Sequence, residues 1–202
     1  SLNYEAGSSF KADGVFGSDD HLFAKAVFFY DDVKDFIAPK GWFEPTTPPT
    51  VYYSSQNVGH VVRKGIELSG TYAAGQFSTS VSYGLLHAVD KETNERMNGI
   101  TPQSANLKLA YAFPAQAINV WYRAHWSKGG ESSVEDRATG KNLHFSSFLT
   151  HSLGAEWSPK VADLANLQAG IAVVNLFDKE YRMLNGSYGS GRGVRLWLSA
   201  QF

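Results

Sequence analysis

Gly191-Arg192-Gly193-Val194-Arg195-Leu196-Trp197-Leu198-Ser199-Ala200-Gln201-Phe202 closes the chain. From Val194 onward the side chains alternate without a break: Val194, Leu196, Leu198, Ala200 and Phe202 share one side, and Arg195, Trp197, Ser199 and Gln201 the other. A period of two belongs to a β-strand. One face is purely apolar, the other carries an arginine, a serine and a glutamine, and the strand ends on an aromatic residue. A soluble sandwich also alternates, but it buries its apolar face between two sheets and seldom finishes its last strand on phenylalanine. Lipid outside and a polar interior account for both faces, so the stretch predicts an all-β, antiparallel transmembrane β-barrel.

The composition is compatible with that reading and excludes several others. The chain has 202 residues, a formal charge of -1, and 19 glycines with 10 tyrosines, 13 phenylalanines and 5 tryptophans, the residues of turns, strands and interfacial girdles. No run of eighteen apolar residues occurs, so no helix is expected to span a bilayer. Cysteine is absent, which removes any disulfide framework or thiolate site. The charge is near neutral and no basic stripe is present, which argues against a nucleic-acid partner. Without an initiator methionine or a signal peptide, the chain reads as a mature or excised segment.

Taken in order, the alternation recurs eight more times. Strands are expected over about 2–16, 21–37, 51–72, 77–85, 103–113, 118–126, 149–157 and 167–173, before the closing strand. Residues 38–50 hold four of the seven prolines and are expected to form a long loop, because prolines do not sit in a ladder. Residues 90–101 are charged and aperiodic, residues 127–144 are polar and glycine-bearing, and residues 177–190 precede the last strand, so these too are expected to be loops. Short turns are expected at 17–20, 73–76, 114–116 and 158–163. Lys64 and His151 interrupt otherwise apolar faces, the lysine placed where its side chain can snorkel to a rim.

The connections carry a second period. Those after the second, fourth, sixth and eighth strands are long and the others short, which is how outer-membrane barrels arrange extracellular loops and periplasmic turns. Nine is odd, whereas a complete single-chain bacterial barrel has an even count. Either the first strand is not a full member and eight strands close, or the chain is part of a larger barrel.

Residues beyond the periodicity favour the second. Val174-Asn175-Leu176-Phe177-Asp178-Lys179-Glu180-Tyr181-Arg182, then Tyr188, Gly191-Arg192 and a strand ending in Phe202, resemble the C-terminal signature of TonB-dependent outer-membrane receptors. Asn57, Gly59 and Gly65-Ile66-Glu67-Leu68 resemble that family's N-x-G and G-x-E strand. Tyr4-Glu5-Ala6-Gly7, Ala26, Phe28 and Asp35-Phe36-Ile37 resemble its Y-E-x-G and A-x-F stretch. The resemblance implies that residues 1–202 are about nine C-terminal strands of a plugged barrel of the roughly 22-strand class, with the plug domain and earlier strands absent. It also implies transport of an iron source without bond breaking, a bacterial outer-membrane location, and partners in the TonB complex, the outer-membrane lipid and the barrel-assembly machinery. Ile100-Thr101-Pro102 and Gly191-Arg192-Gly193-Val194 are similar to haem receptors, which implies haem, or haem delivered by a haemophore or other carrier protein at the extracellular loops. A ferric siderophore is the alternative cargo, and a small self-contained barrel acting as adhesin or enzyme the alternative class.

Candidate ligand residues are few. His125 is expected to point inward near the outer end of the sixth strand, and His144 to lie in the adjoining loop, where either imidazole can ligate haem iron or make ordinary hydrogen bonds. Glu67, Lys108, Arg123, Glu156 and Arg195 are expected on the inner wall, contacting substrate or, as surface charges more often do, pairing with one another. Ser187, Ser190 and the histidines permit a hydrolase on paper, but there is no G-x-S-x-G elbow, and Gly189, Gly191 and Gly193 form neither a G-x-G-x-x-G nor a P-loop. No catalytic residue, structural metal site or covalently bound cofactor is expected. Asn175 and Asp178 are expected to cap the turn that ends the eighth strand.

Overall fold

The computed structural model describes residues 5–18, 21–44, 50–160 and 166–201. It contains eleven strands: β1 (Ala6–Ser18), β2 (Leu22–Glu44), β3 (Thr50–Ala74), β4 (Phe77–Asp90), β5 (Gln103–Phe113), β6 (Ile118–Ser127), β7 (Gly130–Asp136), β8 (Lys141–Phe145), β9 (Phe148–Trp157), β10 (Asn166–Val174) and β11 (Gly193–Gln201). The one helical element among the described residues is a 3-10 turn at Pro114–Gln116, and no helix is long and apolar enough to cross a membrane. Tyr4 and the turn residues 19–20 and 161–163 named above lie outside the described residues.

Nine of the strands form an antiparallel meander in the order β1-β2-β3-β4-β5-β6-β9-β10-β11. β1 pairs with β2 along its whole length, from Ala6 opposite Lys34 to Ser18 opposite Leu22, so the first strand is a full member of the wall. Among the described residues β1 and β11 have one partner each, and the sheet does not close into an eight-stranded barrel. The register holds the predicted faces in line across the sheet. Leu22, Tyr72, Thr79, Leu109, Tyr122 and Leu153 follow one another from β2 to β9 on one side. This side carries the exposed apolar residues, with Leu196 74% and Leu198 75% exposed, as surface meant for hydrocarbon must be. Its short-turn end bears a row of exposed aromatics, Phe16, Tyr72, Phe77, Tyr111, Phe113 and Trp157, placed where an interfacial girdle belongs.

Two expected loops turn out otherwise. The segment 38–50 is not a loop throughout: β2 runs on to Glu44 and β3 starts at Thr50, with Pro39 in the ladder opposite Ser55. Between 35 and 40 β2 has β3 as its sole strand partner among the described residues, so a residue lacking an N–H can be accommodated there. The segment 127–144 contains the β7–β8 hairpin, and β7 adds to the upper part of β2 in parallel, Gly41–Phe43 against Val134–Asp136. Its polar sequence hid the strands because little of it needs an apolar face, yet its hydrogen bonds find partners in the extended β2. Among the described residues the total is therefore eleven strands, nine of them in the wall.

β2 and β3, at 23 and 25 residues, far exceed the roughly 9–11 residues that cross a bilayer. Their excess projects beyond it on the long-loop side and builds a second, water-facing layer. Asp35, at φ 52°, interrupts the ladder where the two layers meet, and Asn57 Nδ2 donates to its carbonyl at 2.7 Å. In the outer layer Ser132 (0% exposed) and Val134 (1%) are buried beside Leu184. Ser132 Oγ donates to the Leu184 carbonyl at 2.6 Å, Ser133 N to the same oxygen at 3.1 Å, Tyr53 OH to Asn185 O at 3.1 Å, and Gly99 N to Glu131 O at 2.9 Å. The long loops thus interlock into a packed platform.

Candidate ligand-facing site

Two surfaces can meet a ligand: the polar inner face of the wall, and a groove in the outer platform. The inner face is floored by tryptophans laid on glycines. A Cβ on Gly154 would stand 2.4 Å from Trp121 Cζ2, and one on Gly170 2.1 Å from Trp197 Cζ2, so each indole uses the space of a missing side chain. Trp121 (6% exposed) packs with Ala110, Ala172 and Trp197, and its Nε1 has no acceptor among the described residues. The Arg123 guanidinium lies 4.6 Å from the Trp121 ring centroid, a cation–π contact.

Five charges on this face do not pair as expected. Lys108 lies directly opposite Arg123 in the β5–β6 ladder, and Glu67, Lys108, Arg123, Glu156 and Arg195 form no ion pair among the described residues. The register is the reason: Glu156 stands opposite Asn119 and Gly170, Glu67 opposite Val27 and Gly84, and Arg195 opposite Ala172, so none of these five has an opposite charge directly across from it. Two ion pairs do form on this face, toward the β1 edge, Lys25 with Asp13 at 3.8 Å and Arg63 with Asp31 at 3.2 Å, and His60 pairs with Asp32 on the other face. A cavity of about 550 Å³ opens over Lys108, Arg123 and His125, lined between them by Ser80, Ser82 and Ser152.

His125 lies on this inner face and contacts Asn106 Oδ1 through Nδ1 at 2.7 Å. His144 belongs to β8 rather than to a loop, and its Nδ1 lies 2.9 Å from Glu131 Oε1. The two histidines line different cavities and do not converge. Phe148 stands between, 5.8 Å from the His125 ring and stacked at 4.1 Å on Tyr181. His151, the exception on the apolar face, is accounted for by a 2.5 Å hydrogen bond with Tyr122 OH and an edge contact with Phe177 at 4.9 Å. Among the described residues no cluster of three or more His, Asp or Glu is placed to hold a metal ion.

His144 opens onto the groove in the platform, about 710 Å³, walled by Phe145, Phe148, Tyr181, Arg182 and Tyr188. Arg182 is held between rings, 3.9 Å from the Tyr188 centroid and 5.7 Å from that of Phe145. A Cβ on Gly189 would meet the Tyr181 ring at 2.1 Å, so glycine there admits the ring. The loop is shaped from its root. Asn175, buried and left-handed at φ 49°, donates through Nδ2 to the carbonyls of Lys179 (2.9 Å) and Ser190 (3.0 Å) and accepts from Lys179 N (2.9 Å). Asp178 Oδ1 accepts from Arg192 N at 2.7 Å. Asn175 and Asp178 therefore do more than cap a turn; they close the whole loop. The groove's aromatic residues were not singled out in the sequence as ligand contacts. The available signal was four rings and an arginine within two short segments.

An antiparallel wall with an apolar outer face, aromatic girdle, polar inner face and long loops on one side alone defines the transmembrane barrel class found in bacterial outer membranes. Within it, residues 1–176 match the family described as TonB dependent receptor-like, beta-barrel. The chain belongs to that family. It is 24% identical over 198 residues to the heme/hemopexin utilization protein C of Haemophilus influenzae, covering 96% of this chain and 27% of the relative. It is likewise 24% identical over 222 residues to the TonB-dependent heme receptor A of Haemophilus ducreyi, covering 97% of this chain and 29% of the relative. The chain thus spans under a third of these curated relatives. Its fold resembles that of the copper transporter OprC, at a TM-score of 0.72 and 18% identity over 98% of this chain and 31% of that one. It also resembles the FrpB iron transporter of Neisseria meningitidis, at 0.69 and 20% over 95% and 30%.

Proposed function

We propose that the chain is the C-terminal part of the barrel of a TonB-dependent receptor that takes up haem, free or handed over by a haemophore or other carrier protein. The rest of the barrel and the plug would come from the remainder of the receptor, which would also engage the TonB complex, while barrel-assembly machinery would insert the whole into outer-membrane lipid. The single-partnered edges of β1 and β11 support this over a small closed barrel, since such edges need further strands within lipid.

The observation that carries the cargo reading is the groove of the platform. Four aromatic rings offer stacking surface, Arg182 and Lys179 offer cations for propionates, and His144 offers an imidazole at the rim. The names of the Haemophilus relatives agree. His125 would serve a different station, since it lines the inner cavity below Phe148. The test is haem titration of the purified full receptor by Soret absorbance. Arg182→Ala and Tyr181→Ala should each weaken binding by about ten-fold, the size of one lost charge-assisted or stacking contact. A receptor that binds a ferric siderophore but not haem, or one indifferent to both substitutions, would defeat the haem reading.

A further inference from the structure

We propose that Lys108 and Arg123 form a binding site for a carboxylate on the lumen wall. The two cations stand directly opposite each other on β5 and β6, on one face and with no carboxylate in reach among the described residues. Like charges placed across a ladder repel, and a wall built only for stability would alternate their sign. An oxyanion between them removes the repulsion. The surroundings suit one: Ser80 and Ser82 lie across from Lys108 and Asn106 on β4, and Ser152 lies across from Arg123 on β9, so hydroxyl donors flank the cations on both sides.

Arg123 is also held in place. Its guanidinium rests on the Trp121 ring at 4.6 Å, and that ring is fixed over Gly154 by burial against Ala110 and Ala172. A planar fork braced on a rigid ring gives up little freedom when it accepts a carboxylate in bidentate fashion. The site opens into a cavity of about 550 Å³, room for a ligand larger than the carboxylate itself. It lies on the barrel's inner face, apart from the platform groove, and does not depend on which iron source the receptor carries.

The carboxylate has two sources, a dissolved ligand in the lumen or an acidic side chain from another part of the same receptor. Both are tested on the full-length receptor in detergent. Citrate is titrated against chloride at matched ionic strength while tryptophan fluorescence is followed, with Trp121→Phe identifying the local signal. A saturable citrate response weakened about ten-fold by Arg123→Gln or Lys108→Gln, and less by Arg123→Lys, establishes a site for dissolved carboxylates. If citrate gives no response but Lys108→Gln and Arg123→Gln lower the melting temperature and Arg123→Lys restores it in part, the same site is filled by the receptor's own carboxylate. If citrate acts no differently from chloride and both Gln variants melt like the wild type or higher, the two cations bind nothing and the proposal is overturned.

Discussion

Replacing Gly154 by alanine tests the wall where its packing is tightest. The added Cβ would lie 2.4 Å from Trp121 Cζ2, 2.6 Å from Cε2 and 3.0 Å from the Ala172 Cβ. Carbon atoms in good contact stand about 3.5–4 Å apart, so the indole must retreat by roughly 1 Å or more. It has little room, being 6% exposed and packed between Ala110 and Ala172. Overpacking of this kind costs about 1–3 kcal/mol, against which alanine in a strand recovers roughly 0.5–1 kcal/mol over glycine. With the indole so confined the upper part of that range applies, about 2–3 kcal/mol, and a net loss of about 1–2 kcal/mol is expected, read as a lower urea midpoint for the receptor in vesicles with an unchanged slope. Trp121→Leu alone should also destabilise, by lost burial. Combined with Gly154→Ala it should cost less than the sum, with a coupling of about 1 kcal/mol or more, because the clash has been removed. A Gly154→Ala receptor as stable as the wild type, or strict additivity with Trp121→Leu, would refute the packing of Trp121 on Gly154.

Leu196→Arg should destabilise by about 2–4 kcal/mol, the range for arginine at the bilayer midplane of a barrel, while Arg195→Leu on the inner face should assemble normally; refolding into vesicles compares them, and a costlier Arg195→Leu would reverse the assignment of faces. In intact cells carrying the full receptor, a cysteine at Ala138, at the exposed tip of the β7–β8 hairpin, should react with a membrane-impermeant thiol reagent, and one at Ala115, in the exposed turn of the opposite rim, should not. Labelling at Ala115 alone would invert the orientation. Asn175→Ala removes three hydrogen bonds at a buried, left-handed position, for an expected loss of about 1–3 kcal/mol confined to the loop 176–192. Hydrogen exchange should show that loop opened with the wall unchanged; an unchanged loop would mean that Asn175 does not organise it.

Much of the wall was legible because a strand between lipid and water writes itself in period two. Val194 to Ala200 declare their faces residue by residue, and the turn at 75–76 is marked by Gly75 at φ 58°. The site was far less legible. Tyr181, Arg182 and Tyr188 were plain in the sequence as parts of a motif, but that they share a groove with Phe145 and Phe148 depends on how one loop lies against the start of β9. The unpaired state of Lys108 and Arg123 was misjudged for a related reason: sequence placed them on one face, whereas only cross-strand register decides what stands opposite.

The sequence by itself determined the strand class, the two faces, the alternation of long and short connections and the family resemblance, since all of these rest on local period and local motif. Tertiary structure alone decided that β2 and β3 run past the membrane, that polar residues 130–145 fold as a hairpin on β2, and that Leu184 seals Ser132 and Val134 into the platform. These features follow from where backbone donors and acceptors far apart in the chain find each other. No periodicity of a single segment records the identity of its neighbour.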